Sequence, residues 1–191
     1  MKTGWWLRRG LNSRACEAAL CLLITVAVAA ELALGQTGPA NTRAVKPQTH
    51  SRSLVGQPAP VFSRRDLHGQ TVNLGALRGK VVLLNFWATW CAPCQAEMPV
   101  FDSWLRSYGP RGFAVIGISM DDDAGSARSL VDKLHIGYPV AMGDAGLGRR
   151  YGGVLGLPMT FVIDRSGKVV AQFQGESGLT PIEQAITTAL N

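Results

Sequence analysis

An α/β domain with a mixed central sheet, helices on both faces and an N-terminal β-hairpin is the fold class this sequence predicts, on three observations. Two continuous apolar runs of strand length, Lys80–Leu84 leading into Asn85–Phe86–Trp87 and Phe113–Ser119, read as buried parallel strands. Between and after them lie helical patterns, which right-handed crossovers place on the sheet faces. Late in the chain Thr160–Ile163 and Lys168–Phe173 flank Asp164–Arg165–Ser166–Gly167, an antiparallel hairpin that makes the sheet mixed.

Taken in order, residues 1–34 read as a targeting segment. Basic residues through Arg14 precede the 13-residue apolar run Ala18–Ala30, which suits a signal peptide cleaved near Ala27–Val28–Ala29. Extended past Glu31 to Leu34, the same run serves as an N-terminal membrane anchor, and both readings stand. Arg8–Arg9 is explained by positive-inside charge as well as by a twin-arginine signal, and neither Cys16 nor Cys21 follows a lipoprotein pattern. Residues 35–57, rich in Gly, Pro, Thr, Ser and Gln, read as a flexible linker holding a solvated His50. Residues 58–191 form the domain.

Within it, Asp66–Leu67–His68–Gly69–Gln70 is a turn, and Thr71–Leu74 returns as the second strand of the hairpin. The helix after Cys91 carries Met98, Phe101, Trp104 and Leu105 on its packing side, is expected to kink at Pro99, and ends at Tyr108–Gly109–Pro110. Asp121–Asp122–Asp123 reads as the start of a second helix rather than a metal cluster, with His135 at that helix's far end. Tyr138–Met142 suits a short edge strand, where Pro139 is tolerated. Leu147–Tyr151 suits one helical turn. Thr180–Pro181–Ile182–Glu183 predicts a capping box opening an amphipathic last helix with Ile182, Ala185, Ile186, Ala189 and Leu190 inward.

Charge and composition exclude several functions. The net charge of +6 is concentrated in the first 57 residues, and the domain carries only +1, so no basic stripe exists for nucleic acid. The glycines of residues 143–153 do not sit between a core strand and a long helix, so they form no dinucleotide fingerprint. No motif calls for a cofactor.

Of the four cysteines only Cys91 and Cys94 fall in the domain, at the junction of a buried strand and a helix. At that helix N-terminus the unpaired N–H groups and the positive dipole end favour a thiolate, the nucleophile of disulfide exchange. Cys91 is the expected attacking residue and Cys94, one turn on and more sheltered, the resolving one. Ala92–Pro93 stiffens the turn and adds no cation, which favours use as a reductant over use as an oxidant. A structural disulfide closing so small a ring would constrain the unfolded chain little. A zinc site lacks its other two ligands, so no metal is assigned. Cu(I) binding or delivery through the two soft thiolates is the rival from another class.

The run Asn85–Phe86–Trp87–Ala88–Thr89–Trp90–Cys91–Ala92–Pro93–Cys94–Gln95–Ala96–Glu97–Met98–Pro99 resembles the TlpA-like, membrane-associated thioredoxins, a family that includes the reductants of cytochrome c maturation. Asp66–Gly69, Gly79–Lys80 and Gly156–Asp164 extend the resemblance over about residues 56–190. It implies a thioredoxin fold and an extracytoplasmic, periplasmic thiol–disulfide oxidoreductase acting on protein disulfides, with a membrane thiol transducer as electron donor. Pro158 matches the family's cis-proline opposite the cysteines, with Leu157 before it offering its backbone to substrate. Trp90 matches the aromatic beside the thiols, and Glu97 an acid that tunes or relays their protons in some relatives; an exposed helical Glu is the alternative. Asn85 departs from ordinary thioredoxin, which has a buried acid there, and the acidic insert of dedicated cytochrome c maturation members is absent.

Overall fold

The computed structural model describes residues 52–191; the targeting segment and most of the expected linker lie outside the described residues. The strands are β1 (Ser63–Arg65), β2 (Thr71–Asn73), β3 (Val81–Trp87), β4 (Phe113–Ser119), β5 (Val140–Met142), β6 (Met159–Ile163) and β7 (Val169–Gln174). The helices are α1 (Ala92–Tyr108), α2 (Ala124–Lys133), α3 (Ala145–Arg150) and α4 (Leu179–Leu190). This is the thioredoxin-like arrangement: β1 and β2 form a separate hairpin, and the central sheet runs β5-β4-β3-β6-β7. Strands β3, β4 and β5 are parallel, while β6 and β7 join antiparallel.

All seven residues of β3 are buried, because both sheet faces are covered. Its alternate residues Val81, Leu83 and Trp87 face a core built with α1, α2 and α4, through Met98, Phe101, Ala127, Val131, Ile182 and Ile186. Val82, Leu84 and Phe86 face the opposite core with Leu147, Tyr151 and Phe161. There Phe86, Tyr151 and Phe161 meet at centroid distances of 5.1–5.9 Å, tilted or edge-on as ring quadrupoles prefer.

The residues before β3 cover the open edges. The amide of Leu67 donates to the carbonyl of Val140 (2.8 Å), so the hairpin turn closes the β5 edge. On the other side, Gly56 donates to Val169 and Val169 to Gln57 (2.8 and 2.9 Å), covering the start of β7. Residues 54–57 therefore belong to the packed domain and not to the tether expected up to residue 57; Leu54 is buried against the Phe86 face. The polar composition of this stretch concealed a single anchoring side chain and a short backbone ladder.

Helix α1 holds Pro99 within its span and ends at Tyr108, as expected. Other elements differ in detail. Strand β2 stops at Asn73, and Leu74 starts a 3₁₀ turn to Leu77. The capping box of the last helix does not form. Gly178, at φ 77°, is the N-cap of α4, so Thr180 and Pro181 lie inside the first turn. Glu183 instead accepts a hydrogen bond from the hydroxyl of Tyr108 (2.7 Å), joining α4 to the end of α1. His135 takes the left-handed position after α2, φ 52°, at the surface.

Phe86→Ala should cost about 3–5 kcal/mol, the transfer term plus the cavity left between Tyr151 and Phe161. Urea unfolding checks this, and a loss below about 1 kcal/mol would mean that the aromatic cluster is not a principal part of the core.

Candidate active site

Strand β3 ends at Trp87, and four residues later Cys91 is the N-cap of α1. Pro93 occupies the first turn of the helix, where its missing N–H costs nothing. Cys91 and Cys94 are joined in a disulfide with Cα atoms 5.3 Å apart. Cys94 is fully buried, while Cys91 retains 5% exposure, so solvent reaches the pair only at Cys91. The amide of Cys94 points at the Cys91 sulfur (3.3 Å), and the dipole of a 17-residue helix ends there. An anionic sulfur at Cys91 would be stabilised by both.

Sheet register brings the other residues to the same end. Met159 pairs with Phe86, which sets Pro158 level with Trp87, and the Leu157–Pro158 peptide is cis. Leu157 packs against the core that contains both cysteines. The carbonyl of Pro158 is held by the amide of Gly175 (2.8 Å). Trp90 stands beside Cys91 with 73% of its surface exposed.

Glu97, one turn beyond Cys94 on α1, is 7% exposed, which settles its place among the buried groups rather than on the helix surface. Its Oε2 is buried without a hydrogen-bond partner. Burial first, and the carboxylate of Glu176 second, push its pKa up from 4.5 to about 7. It can therefore hold a proton near neutral pH. Asn85 is fully buried and donates to the hydroxyl of Thr160 (2.9 Å), so a neutral group occupies that position in β3.

Three contributors were not legible beforehand. Of the three consecutive acids only Asp123 caps α2, accepting from the amides of Gly125 and Ser126; Asp121 turns back to the loop before Cys91 and accepts from the amide and hydroxyl of Thr89. Gln95 donates to the carbonyl of Thr89 (2.6 Å). Leu155, 61% exposed, lines a surface groove with Met120, Asp121 and Val154. An unusual excess of acids over available caps was the only trace of Asp121 in the sequence; Gln95 and Leu155 left none. Among the described residues no group of three or more His, Cys, Asp or Glu is arranged to hold a metal ion.

Residues 55–172 match the model of the AhpC/TSA family. The chain belongs to that family. It is 36% identical over 132 residues to the thiol-disulfide oxidoreductase ResA of Bacillus anthracis, covering 68% of this chain and 75% of that protein. It is 34% identical over 129 residues to the thioredoxin-like protein YneN of Bacillus subtilis, covering 64% and 75%. Among solved structures it resembles a thiol:disulfide interchange protein of the thioredoxin family from Chlorobium tepidum, with TM-score 0.66, 31% identity, and coverage of 73% and 100%. These agree with the TlpA-like resemblance of the sequence. With the Cys91–Cys94 pair at the head of α1, this AhpC/TSA-family chain is a thiol–disulfide oxidoreductase of thioredoxin-like fold.

Below pH 4.5 Glu97 is protonated whether the chain is folded or not. Between 4.5 and about 7 the folded form keeps a proton that the unfolded form has lost, so the contribution of Glu97 to stability declines as pH rises through that window. The wild type should lose stability relative to Glu97→Gln by at most ~1.4 kcal/mol per pH unit there. Urea unfolding of both proteins from pH 4 to 8 reads the difference; parallel curves would refute the raised pKa.

Proposed function

We propose that this enzyme is an exported reductant of protein disulfides, with Cys91 as nucleophile and Cys94 as resolving residue. The carrying observation is the asymmetry of the pair: the helix N-terminus and the residual exposure both fall on Cys91. In the reduced enzyme the Cys91 thiolate attacks one sulfur of a substrate disulfide, forming a mixed disulfide and expelling the other substrate sulfur as a thiolate. Cys94 then attacks the Cys91 sulfur, releasing the second substrate thiol and closing the Cys91–Cys94 bond. Two electrons pass to the substrate with two protons, and Glu97, protonated near neutrality, can supply one to the departing sulfur or receive one from Cys94.

An extended polypeptide suits the surroundings. Trp90 stands exposed next to Cys91 in the chain, Leu157 packs against the core that holds both cysteines, and the exposed Leu155 lines the groove that holds Asp121. The backbone of Leu157 next to the cis-proline would pair with the substrate strand. Substrates of this class are the cysteine pair of an apocytochrome c or the cysteines of a copper site, with a membrane thiol transducer restoring the dithiol. The TlpA-like resemblance supports these assignments, and the basic and apolar residues 1–34 support a periplasmic location, by cleaved signal or membrane tether. Among the described residues no helix is long and apolar enough to cross a membrane.

Insulin reduction with dithiothreitol should fall to the uncatalysed rate in Cys91→Ser. Cys94→Ser should instead accumulate a mixed disulfide on Cys91, visible on a non-reducing gel. Full activity in Cys91→Ser would reject the assignment of the nucleophile.

A further inference from the structure

The turn that carries Cys91 is held by a side chain that takes no part in thiol exchange. Asp121 lies two residues beyond Ser119, the partner of Trp87 in the β3–β4 register, and Thr89 lies two residues beyond Trp87. The two chains leave the sheet side by side, and their side chains meet. Both carboxylate oxygens of Asp121 accept from the amide of Thr89 (3.0 Å each). Its Oδ1 also accepts from the Thr89 hydroxyl (2.7 Å), and its Oδ2 from the hydroxyl of Ser119 (2.8 Å). The remaining polar group of Thr89, its carbonyl, receives the side-chain amide of Gln95 from the first turns of α1. On the far side of Trp90, the amide of Cys91 donates to the carbonyl of Ala88 (3.1 Å). Trp90 is thus bracketed by fixed backbone while its indole stands in solvent.

We propose that Asp121 is the positioning residue of the redox turn, its carboxylate latching Thr89 so that Cys91 stays at the helix N-cap and Trp90 stays presented to substrate. Three donors converge on this side chain, and a carboxylate, which offers about four lone-pair sites and no hydrogen, receives all three at once. An amide offers one oxygen and turns an NH₂ toward donors; alanine offers nothing. The proposal rests on Cys91 being the nucleophile. The other charged groups around the latch are Asp122 and Asp123, which follow in the chain, Asp144 and Arg149, which line a groove with Asp121, and Lys133, which lines a groove with Thr89 and Asp123; Glu97 and Glu176 form a separate acidic pair on the α1 side. None of these is altered in the variants below.

The test uses the reduced full chain and follows the pH dependence of iodoacetamide alkylation, with the modified cysteine identified by peptide mass, in wild type, Asp121→Asn and Asp121→Ala. Both substitutions remove the charge, but only Asn keeps an acceptor for Thr89. The alkylation midpoint of Cys91 should therefore lie higher in Asp121→Ala than in Asp121→Asn, because the unlatched thiolate leaves the helix end. A midpoint in Ala equal to or below that in Asn would overturn the proposal. In insulin reduction, Asp121→Ala should lower kcat/KM on the order of tenfold and Thr89→Val about threefold. The double variant should be no worse than Asp121→Ala alone, since both break one latch. Independent, multiplying losses would overturn the proposal. If Asp121→Ala does not fold, Thr89→Val takes its place: it removes the hydroxyl donor and leaves the Asp121 charge, so its Cys91 midpoint should lie above that of the wild type, and a midpoint at or below the wild type would overturn the proposal. Label taken up at Cys94 instead of Cys91 would reject the assignment of the nucleophile, a failure distinct from an unmoved Cys91 midpoint.

Discussion

Everything at the active end depends on the register of β3 between its two neighbours. Trp87 pairs with Ser119 on one side and Phe86 with Met159 on the other. Because strands β3 and β4 are parallel, both chains leave the sheet at the same end, which sets the Cys91 turn beside Asp121. Because β6 is antiparallel, it enters there, and the residue just before it, Pro158, arrives level with Trp87. A one-residue slip in either ladder would turn the alternating side chains of β3 to the wrong faces, exchanging Leu83 and Trp87 for Leu84 and Phe86. Both faces are filled with large side chains, so that slip is strongly disfavoured and the active-site geometry inherits the precision of the core.

The chemistry divides along the same line. Backbone supplies the electrostatics for Cys91, through the head of α1 and the Cys94 amide. Core packing supplies the shelter for Cys94 and for Glu97, whose carboxyl is kept protonated up to about pH 7 by burial and by the neighbouring Glu176. With Asn85 neutral in β3, the proton-holding group near the pair lies on the helix rather than the strand. Trp90, next to Cys91, and Leu155, on the groove that holds Asp121, remain exposed apolar side chains.

The parts of the fold governed by short-range patterning were legible in the sequence. Strand β4 falls on the seven residues its apolar run marked, β3 and the β6–β7 hairpin lie within a residue or two of expectation, and Cys91 heads its helix. What was illegible depends on contacts far apart in the chain. Thr180 and Glu183 have the spacing of a capping box, yet a positive-φ Gly178 starts the helix earlier and Tyr108 claims the Glu183 carboxylate. The run Asp121–Asp123 looked uniform, but sheet register gives its first and last members different tasks 32 residues and two residues away. Leu54 sat in a polar stretch whose backbone pairs with β7, a partner no local pattern announces.

The reduction potential of the Cys91–Cys94 pair, measured by equilibrating the protein with defined glutathione or dithiothreitol couples at pH 7, tests the central claim most directly. A helix-headed pair with no added cation, used as a reductant, should poise near thioredoxin, at about −270 mV. A value near about −120 mV would make the protein an oxidant and contradict the account.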